Sequence, residues 1–273
     1  MTRTHNHLED FSEDIISKAQ DGLRITNREL SDRAGVELSV LKAIKNGEVD
    51  EESLRKIAPL LGLHADRLIV SARKDWLPAS KNLPHLHLFV SQFRDMTVNA
   101  YLLTSSSGQG ILFDTGVDPE PILKCLSDRK ISLAAVVLTH GHPDHVAVLD
   151  PILSGAGSVP VYAHPLEEIK DTQPVEWGKT FEVGSFRLRA LSTPGHTPGG
   201  TSFFLQGAEP PIAIVGDALF AGSVGGCSAD YERALSAIRE NLLSLPAETI
   251  LCPGHGPITT VAEELENNPF FPE

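Results

Sequence analysis

Residues 139–145 read Thr-His-Gly-His-Pro-Asp-His, which sets three histidines and an aspartate within six residues directly behind an apolar run, Ala134-Ala135-Val136-Val137-Leu138. The run reads as a buried strand. Packing alone does not call for that density of ligands at a strand mouth. A divalent metal does, because neutral imidazoles and carboxylates are the side chains that hold zinc, iron or manganese. On an extended chain, positions two apart point the same way, so His140 and His142 can grip one ion together. Asp144 and His145 follow where the chain turns into a helix and can face a second ion. The fold therefore has to bring a rigid strand end to a place where further ligands converge.

Three more segments repeat that construction, a strand ending in a tight Gly-rich loop that presents one ligand. His196 lies in Ser192-Thr193-Pro194-Gly195-His196-Thr197-Pro198-Gly199-Gly200, Asp217 in Val215-Gly216-Asp217, and His255 in Cys252-Pro253-Gly254-His255-Gly256-Pro257. Glycine supplies the close approach and the dihedrals such loops need. His164 reads as a structural strand-end residue, His85 and His87 as linker and strand positions, and His5 and His7 as part of a polar tail. Cys227 and Cys252 read as small buried residues.

The texture of the chain changes near residue 76. Residues 1–10 are a polar tail, 11–72 are helical, 73–86 (with Pro78 and Pro84) are a linker, and 87–273 alternate short apolar runs with turn residues. Within the helical part, Thr26 with Glu29 forms a capping box opening a helix over 27–34. Gly35 breaks it, a second helix covers 37–45, and a third covers 53–61 up to Gly62. The second part predicts strands over 87–90, 99–103, 111–113, 135–138, 159–163, 186–191, 201–205, 212–215 and 249–251. Helices are expected over 119–128, 146–154, 166–170 and 229–243. This ordering implies an α+β fold of two face-to-face sheets with helices outside.

The chain has 273 residues, 41% of them hydrophobic, enough for one large and one small domain with a sizeable core. Its formal charge of −13 argues against nonspecific nucleic-acid binding by the whole protein, which needs clustered Lys and Arg. No apolar stretch approaches the roughly 20 residues of a membrane span, and the N-terminus lacks the apolar core of a signal peptide. Three scattered cysteines form no paired framework, which fits a reducing cytoplasm.

Residues 25–36 through Lys45-Asn46-Gly47, continued by residues 54–63, resemble the Cro/C1-type repressor fold, whose helix-turn-helix places one helix on DNA. In the corresponding helix only Lys42 and Lys45 carry suitable charge, and residues 10–75 hold 11 Lys and Arg against 13 Asp and Glu, a net of −2. A working DNA module is basic. A small helical bundle for dimerisation or docking is therefore the favoured reading, with DNA contact through Lys42 and Lys45 the less favoured one.

Taken in order, Thr-His-x-His-x-Asp-His, the Pro-Gly-His-Thr loop, the Gly-Asp pair and the final Gly-His resemble the metallo-β-lactamase superfamily over residues 85–270. The resemblance implies an αβ/βα sandwich with a dinuclear centre at one edge. One metal would be held by His140, His142 and His196, the other by Asp144, His145 and His255, with Asp217 bridging them. Asp114, in Phe113-Asp114-Thr115-Gly116, would support a ligating imidazole from behind. Two divalent metals are implied, zinc first and iron or manganese next, with a water activated between them and oriented by Asp144.

The segment from Gly216 to Gly225 and the Pro253–Thr260 stretch are similar to the glyoxalase II-like branch. That similarity implies hydrolysis of a small thioester, ester or lactone. Two alternatives stand beside it. One is a mononuclear iron enzyme of the persulfide dioxygenase type, using His140, His196 and Asp217. The other is a DNA-binding regulator whose metal domain senses a ligand. The expected partner is a small-molecule substrate rather than a membrane, and a homodimer is compatible with the helical domain.

Overall fold

A computed structural model describes residues 7–227 and 230–272. Five helices come first: α1 (Ser12–Leu23), α2 (Asn27–Ala34), α3 (Leu38–Ile44), α4 (Glu51–Ile57) and α5 (Ala65–Arg73), with a 3-10 turn Ala58–Leu61 between the last two. The capping box at Thr26 and Glu29 is formed in both directions. Gly35, in the left-handed region at φ 61°, closes α2.

The rest of the chain builds two six-stranded sheets. The first runs in the order β1 (Leu86–Phe93), β2 (Met96–Thr104), β3 (Gln109–Phe113), β4 (Ser132–Val137), β5 (Val161–Ala163), β6 (Gln173–Pro174). Helices α6 (Glu120–Arg129), α7 (Pro143–Val146) and α8 (Leu149–Ala156) fall within this stretch. The second sheet uses β7 (Thr180–Val183), β8 (Phe186–Ser192), β9 (Thr201–Leu205), β10 (Ile212–Gly216), β13 (Ile250–Pro253) and β14 (Thr259–Thr260), in spatial order β14-β13-β10-β9-β8-β7. A short hairpin, β11 (Leu219–Phe220) with β12 (Ser223–Val224), and helices α9 (Tyr231–Asn241) and α10 (Val261–Asn267) complete it.

Alternation along the strands explains the layers. In β10, Ile212 and Ile214 join Tyr101, Phe113 and Phe203 in the core between the sheets, while Ala213 and Val215 face the opposite layer. The outer face of the first sheet packs Leu112, Val136 and Leu138 on Ile122 and Ile152 of α6 and α8. The outer face of the second sheet packs on α9 and on the N-terminal helices, so that Ile15, Leu41, Leu54, Leu191, Ala213, Ile238 and Phe270 belong to one continuous core. Burial on both faces is why these strands read as apolar runs.

Several local expectations are corrected. The helix expected over 166–170 is a 3-10 turn, Pro165–Glu167, ended by Glu168 in the left-handed region at φ 53°. The helix expected over 146–154 is split into α7 and α8 by a break at Val148. It begins three residues earlier because Pro143 suits the first turn. The helix expected over 229–243 is α9; Ala229 lies outside the described residues. Of the polar tail, residues 1–6 including His5 lie outside the described residues, but Leu8 and Asp10 are buried and Asp10 pairs with Lys18. The expected linker carries no helix or strand from 74 to 85, yet it is pinned: Ala79 N and Lys81 Nζ both reach Glu263 Oε1, at 2.8 and 2.9 Å. Helices α5 and α10 were not singled out by the sequence.

Candidate metal centre

The strand ends after β3, β4, β8, β10 and β13 meet at one edge of the two sheets. Asp114 follows β3 in the left-handed region at φ 54°, a conformation that Asp tolerates better than most residues. Its carboxylate accepts from Thr139 N through Oδ1 and from Thr139 Oγ1 through Oδ2, each at 2.8 Å. That fixes the first residue of the histidine-rich segment. Asp114 Oδ2 also lies 2.8 Å from His145 Nδ1.

The other histidines are held by the same device, one ring nitrogen bonded outward so that the second faces inward. His140 Nδ1 is 3.0 Å from Thr139 Oγ1, His196 Nδ1 3.0 Å from the Gly226 carbonyl, and His255 Nδ1 2.6 Å from the Thr97 carbonyl. A ring nitrogen beside a carbonyl must carry a proton, so Nε2 of His196 and of His255 is the atom left to face the centre. His142 differs in turning Nδ1 inward, 2.9 Å from His196 Nε2.

Two triads result, each with its ligand atoms within 4.8 Å of one another: His140, His142 and His196, and Asp144, His145 and His255. Asp217 lies between them. Its Oδ2 is 3.4 Å from His196 Nε2 and 3.2 Å from His255 Nε2, and its Oδ1 is 3.3 Å from His145 Nε2. Asp144 Oδ2 is 3.3 Å from His255 Nε2. The structure thus brings together all seven residues that the sequence singles out, with Asp114 behind them. Gly254 permits the approach: a Cβ there would lie 2.1 Å from Asp217 Oδ1 and 2.6 Å from His145 Cε1.

The donor set fits a metal. His140 Nε2 is buried without a hydrogen-bond partner, and His145 Nε2 and Asp217 Oδ1 face each other at 3.3 Å, off hydrogen-bond geometry; buried polar atoms are otherwise almost always satisfied. Burial, the largest influence on each, lowers the pKa of His140 and of His196. Burial also acts to lower His145 and His255, but Asp217 with Asp114 holds His145 at about 10, and Asp217 with Asp144 holds His255 at about 11. Asp217 itself is held well below the usual carboxylate range, since His145 and His255 outweigh its burial. A cation between the triads would replace those protons as the partner of the carboxylates.

His142 and His196 are the half-buried members, so the centre opens on their side. The opposite side is walled by the hairpin and the N-terminal segment. Phe220 meets the His255 ring edge-on at 5.5 Å, and Lys18 Nζ lies 4.8 Å above Phe220 while donating to the Val224 carbonyl at 2.8 Å. Glu9 packs against Gly256.

The sequence does not reveal Thr97, Gly226 and Glu167. The first two act through backbone carbonyls, which carry no side-chain signal, and Glu167 stands in a segment read as an ordinary helix. His164 is buried at a strand end and stacks on Trp177, with ring centroids 4.2 Å apart. Lys42 is exposed on α3, whereas Lys45 is turned inward to Gln20 Oε1 and Asn27 Oδ1, at 2.7 and 3.2 Å.

A family model described as the metallo-beta-lactamase superfamily matches residues 94–255. The probable metallo-hydrolase YqgX of Bacillus subtilis is 33% identical over 197 residues, covering 63% of this chain and 92% of its own. The hydroxyacylglutathione hydrolase GloC of Haemophilus influenzae is 30% identical over 197 residues, with the same 63% and 92% covered. Among solved structures, TTHA1623 in a di-iron-bound form is 32% identical, with a TM-score of 0.56, over 67% of this chain and 99% of that one. The matched family region starts beyond α1–α5 and ends on His255, the last of the seven clustered residues. The chain belongs to the metallo-beta-lactamase superfamily.

Proposed function

We propose that the protein is a dinuclear metallohydrolase acting on a small thioester, ester or lactone. The observation that carries this reading is the position of Asp217, whose two carboxylate oxygens reach toward both triads at 3.2–3.4 Å. The single-metal alternative, with His140, His196 and Asp217, would leave Asp144, His145 and His255 without an ion, although Asp217 reaches His145 and His255 as well. His140, His142 and His196 would hold one ion, and Asp144, His145 and His255 the other, with Asp217 shared. The all-nitrogen-and-oxygen donor set suits zinc, iron or manganese; zinc is the first choice, and the di-iron form of TTHA1623 supports iron as the second. When bound, the metal pair supplies Lewis-acid polarisation of an acyl oxygen and acidifies water at neutral pH.

The protein's own part is to orient and to move protons. Asp144, buried beside His255 in the second triad, orients the attacking water and accepts its proton. The acyl carbon gains a bond to that oxygen and loses its bond to sulfur or oxygen, and the departing group takes up the proton. No serine or cysteine nucleophile is needed. The hydroxyacylglutathione hydrolase name of one relative supports the thioester class.

The test is a panel of S-acyl thiols, aryl esters, lactones and phosphoesters, assayed with the metal content of the same preparation. Asp144→Ala is expected to lower kcat/KM by about 10²–10⁴-fold, the range of a lost general base. An unchanged rate in Asp144→Ala, or a preparation active after complete metal removal, would contradict the proposal.

A further inference from the structure

We propose that Glu167 is a positioning residue for the metal held by His140, His142 and His196, its carboxylate clasping the two loops that carry those histidines. This rests on the metal reading above. Glu167 Oε2 accepts from Gly141 N at 2.6 Å, and Oε1 accepts from Thr197 Oγ1 and from Gly199 N, both at 2.7 Å. Gly141 separates His140 from His142, and Thr197 follows His196. Two of the three donors, Gly141 and Thr197, are therefore chain neighbours of residues in one triad, and the third, Gly199, lies three residues past His196 on the same loop. The Asp144, His145 and His255 triad receives no bond from it.

Both loops are shaped around the carboxylate. A Cβ on Gly199 would stand 2.7 Å from Glu167 Oε1 and 3.0 Å from His164 Nδ1, and a Cβ on Gly141 would stand 3.2 Å from Glu167 Oε2. The turn that presents Glu167 is fixed in turn. His164 caps it by accepting from Leu166 N at 3.3 Å, and its ring stacks on Trp177 at an interplanar angle of 15°. The Trp177 indole donates to Thr201 Oγ1 at 2.9 Å, and Thr201 N donates to the Thr139 carbonyl at 3.0 Å. The path thus closes on the residue before His140, linking the loop after β4 in one sheet with the loop after β8 in the other.

The chemistry calls for a carboxylate. All three partners donate, and an ionised carboxylate accepts on both oxygens with short, charge-assisted bonds. A glutamine at 167 keeps size and shape but has one oxygen. Its NH2 must then face either Gly141 N–H or the Thr197 and Gly199 donors, so one loop is released. Removing an outer group that orients a ligand typically weakens metal affinity 10–100-fold, and Glu167 orients His140, His142 and His196 through the loops that carry them rather than through their rings.

The experiment is zinc titration of the metal-free full chain against a chromophoric chelator, repeated with cobalt to follow the visible spectrum of each site. Wild type, Glu167→Gln and the milder Thr197→Val are compared, with thermal melting of the metal-free proteins. In Glu167→Gln one of two zinc ions is expected to bind about 10–100-fold more weakly, with an altered cobalt spectrum, while the other ion and the metal-free melting temperature stay as in wild type. Thr197→Val should lose less, at the same site. Wild-type affinity at both sites in Glu167→Gln overturns the proposal, as does equal weakening of both sites together with a lowered melting temperature. A wild-type protein that binds no metal overturns the dinuclear reading itself, and this proposal with it.

Discussion

Glu264 shows how one buried side chain couples the fold to pH. It sits fully buried on α10, accepting from Thr259 Oγ1 and Asn268 Nδ2 at 2.8 Å and from Gly222 N at 3.1 Å. Burial raises its carboxyl to about 7, outweighing those hydrogen bonds, which favour the charged form. A folded pKa above the unfolded value of 4.5 means that the folded state binds the extra proton between those limits. Its contribution is full below pH 4.5 and is lost as pH rises through about 7, a change of about 3 kcal/mol. Glu264→Gln can keep its amide oxygen toward Asn268 and Gly222 and turn its NH2 to Thr259. Urea unfolding from pH 4.5 to 8 should therefore show the stability of the wild type falling relative to the variant, whereas parallel profiles would contradict the assignment. The residues of the centre were legible in the sequence wherever chemistry and spacing coincide, as in His140, His142, Asp144 and His145. Glu264 and Glu167 were not, because an acid on a helix or turn looks solvated until tertiary packing decides what covers it.

Secondary elements follow the same division. The capping box at Thr26 and the apolar runs of β4, β8 and β10 are local signals, and the structure forms them where they were expected. Helix α10, Val-Ala-Glu-Glu-Leu-Glu-Asn, has little apolar periodicity and is held instead by its Thr260 cap and by Glu264 beneath the β11–β12 hairpin. The turn at Pro165–Glu167 fails as a helix because Glu168 takes a left-handed backbone and Glu167 is drawn to the ligand loops. The N-terminal helices are the larger surprise. Their apolar face joins the second sheet and α9 in one core, with His64 N donating to the Pro269 carbonyl at 2.8 Å and Arg67 donating to the Asn268 carbonyl at 3.1 Å. Such continuity predicts a single cooperative unfolding transition for helices and sheets together. Calorimetry of the full chain should give one peak; two resolved peaks, the first with loss of helical signal alone, would show that the bundle folds separately.

At the scale of the whole molecule, each layer serves the edge where the strands end. The two sheets bring five strand termini together, α6 and α8 back one of them, and α9 with the N-terminal bundle backs the other. Segment 7–10 and Lys18 complete one wall of the centre, so the bundle contributes directly to the surroundings of His255. The bundle's apolar face serves as a structural layer against the second sheet and α9, with Lys45 turned inward to Gln20 and Asn27 and Lys42 exposed on α3. On the proposed reading, the two triads and Asp217 form one two-metal site. Native mass spectrometry with elemental analysis of the purified chain tests it most directly. A two-metal site gives two divalent ions per chain, falling to one in His142→Ala and in His255→Ala and to none in the pair combined. One iron per chain with oxygen-dependent turnover, unaffected by His255→Ala, would contradict it.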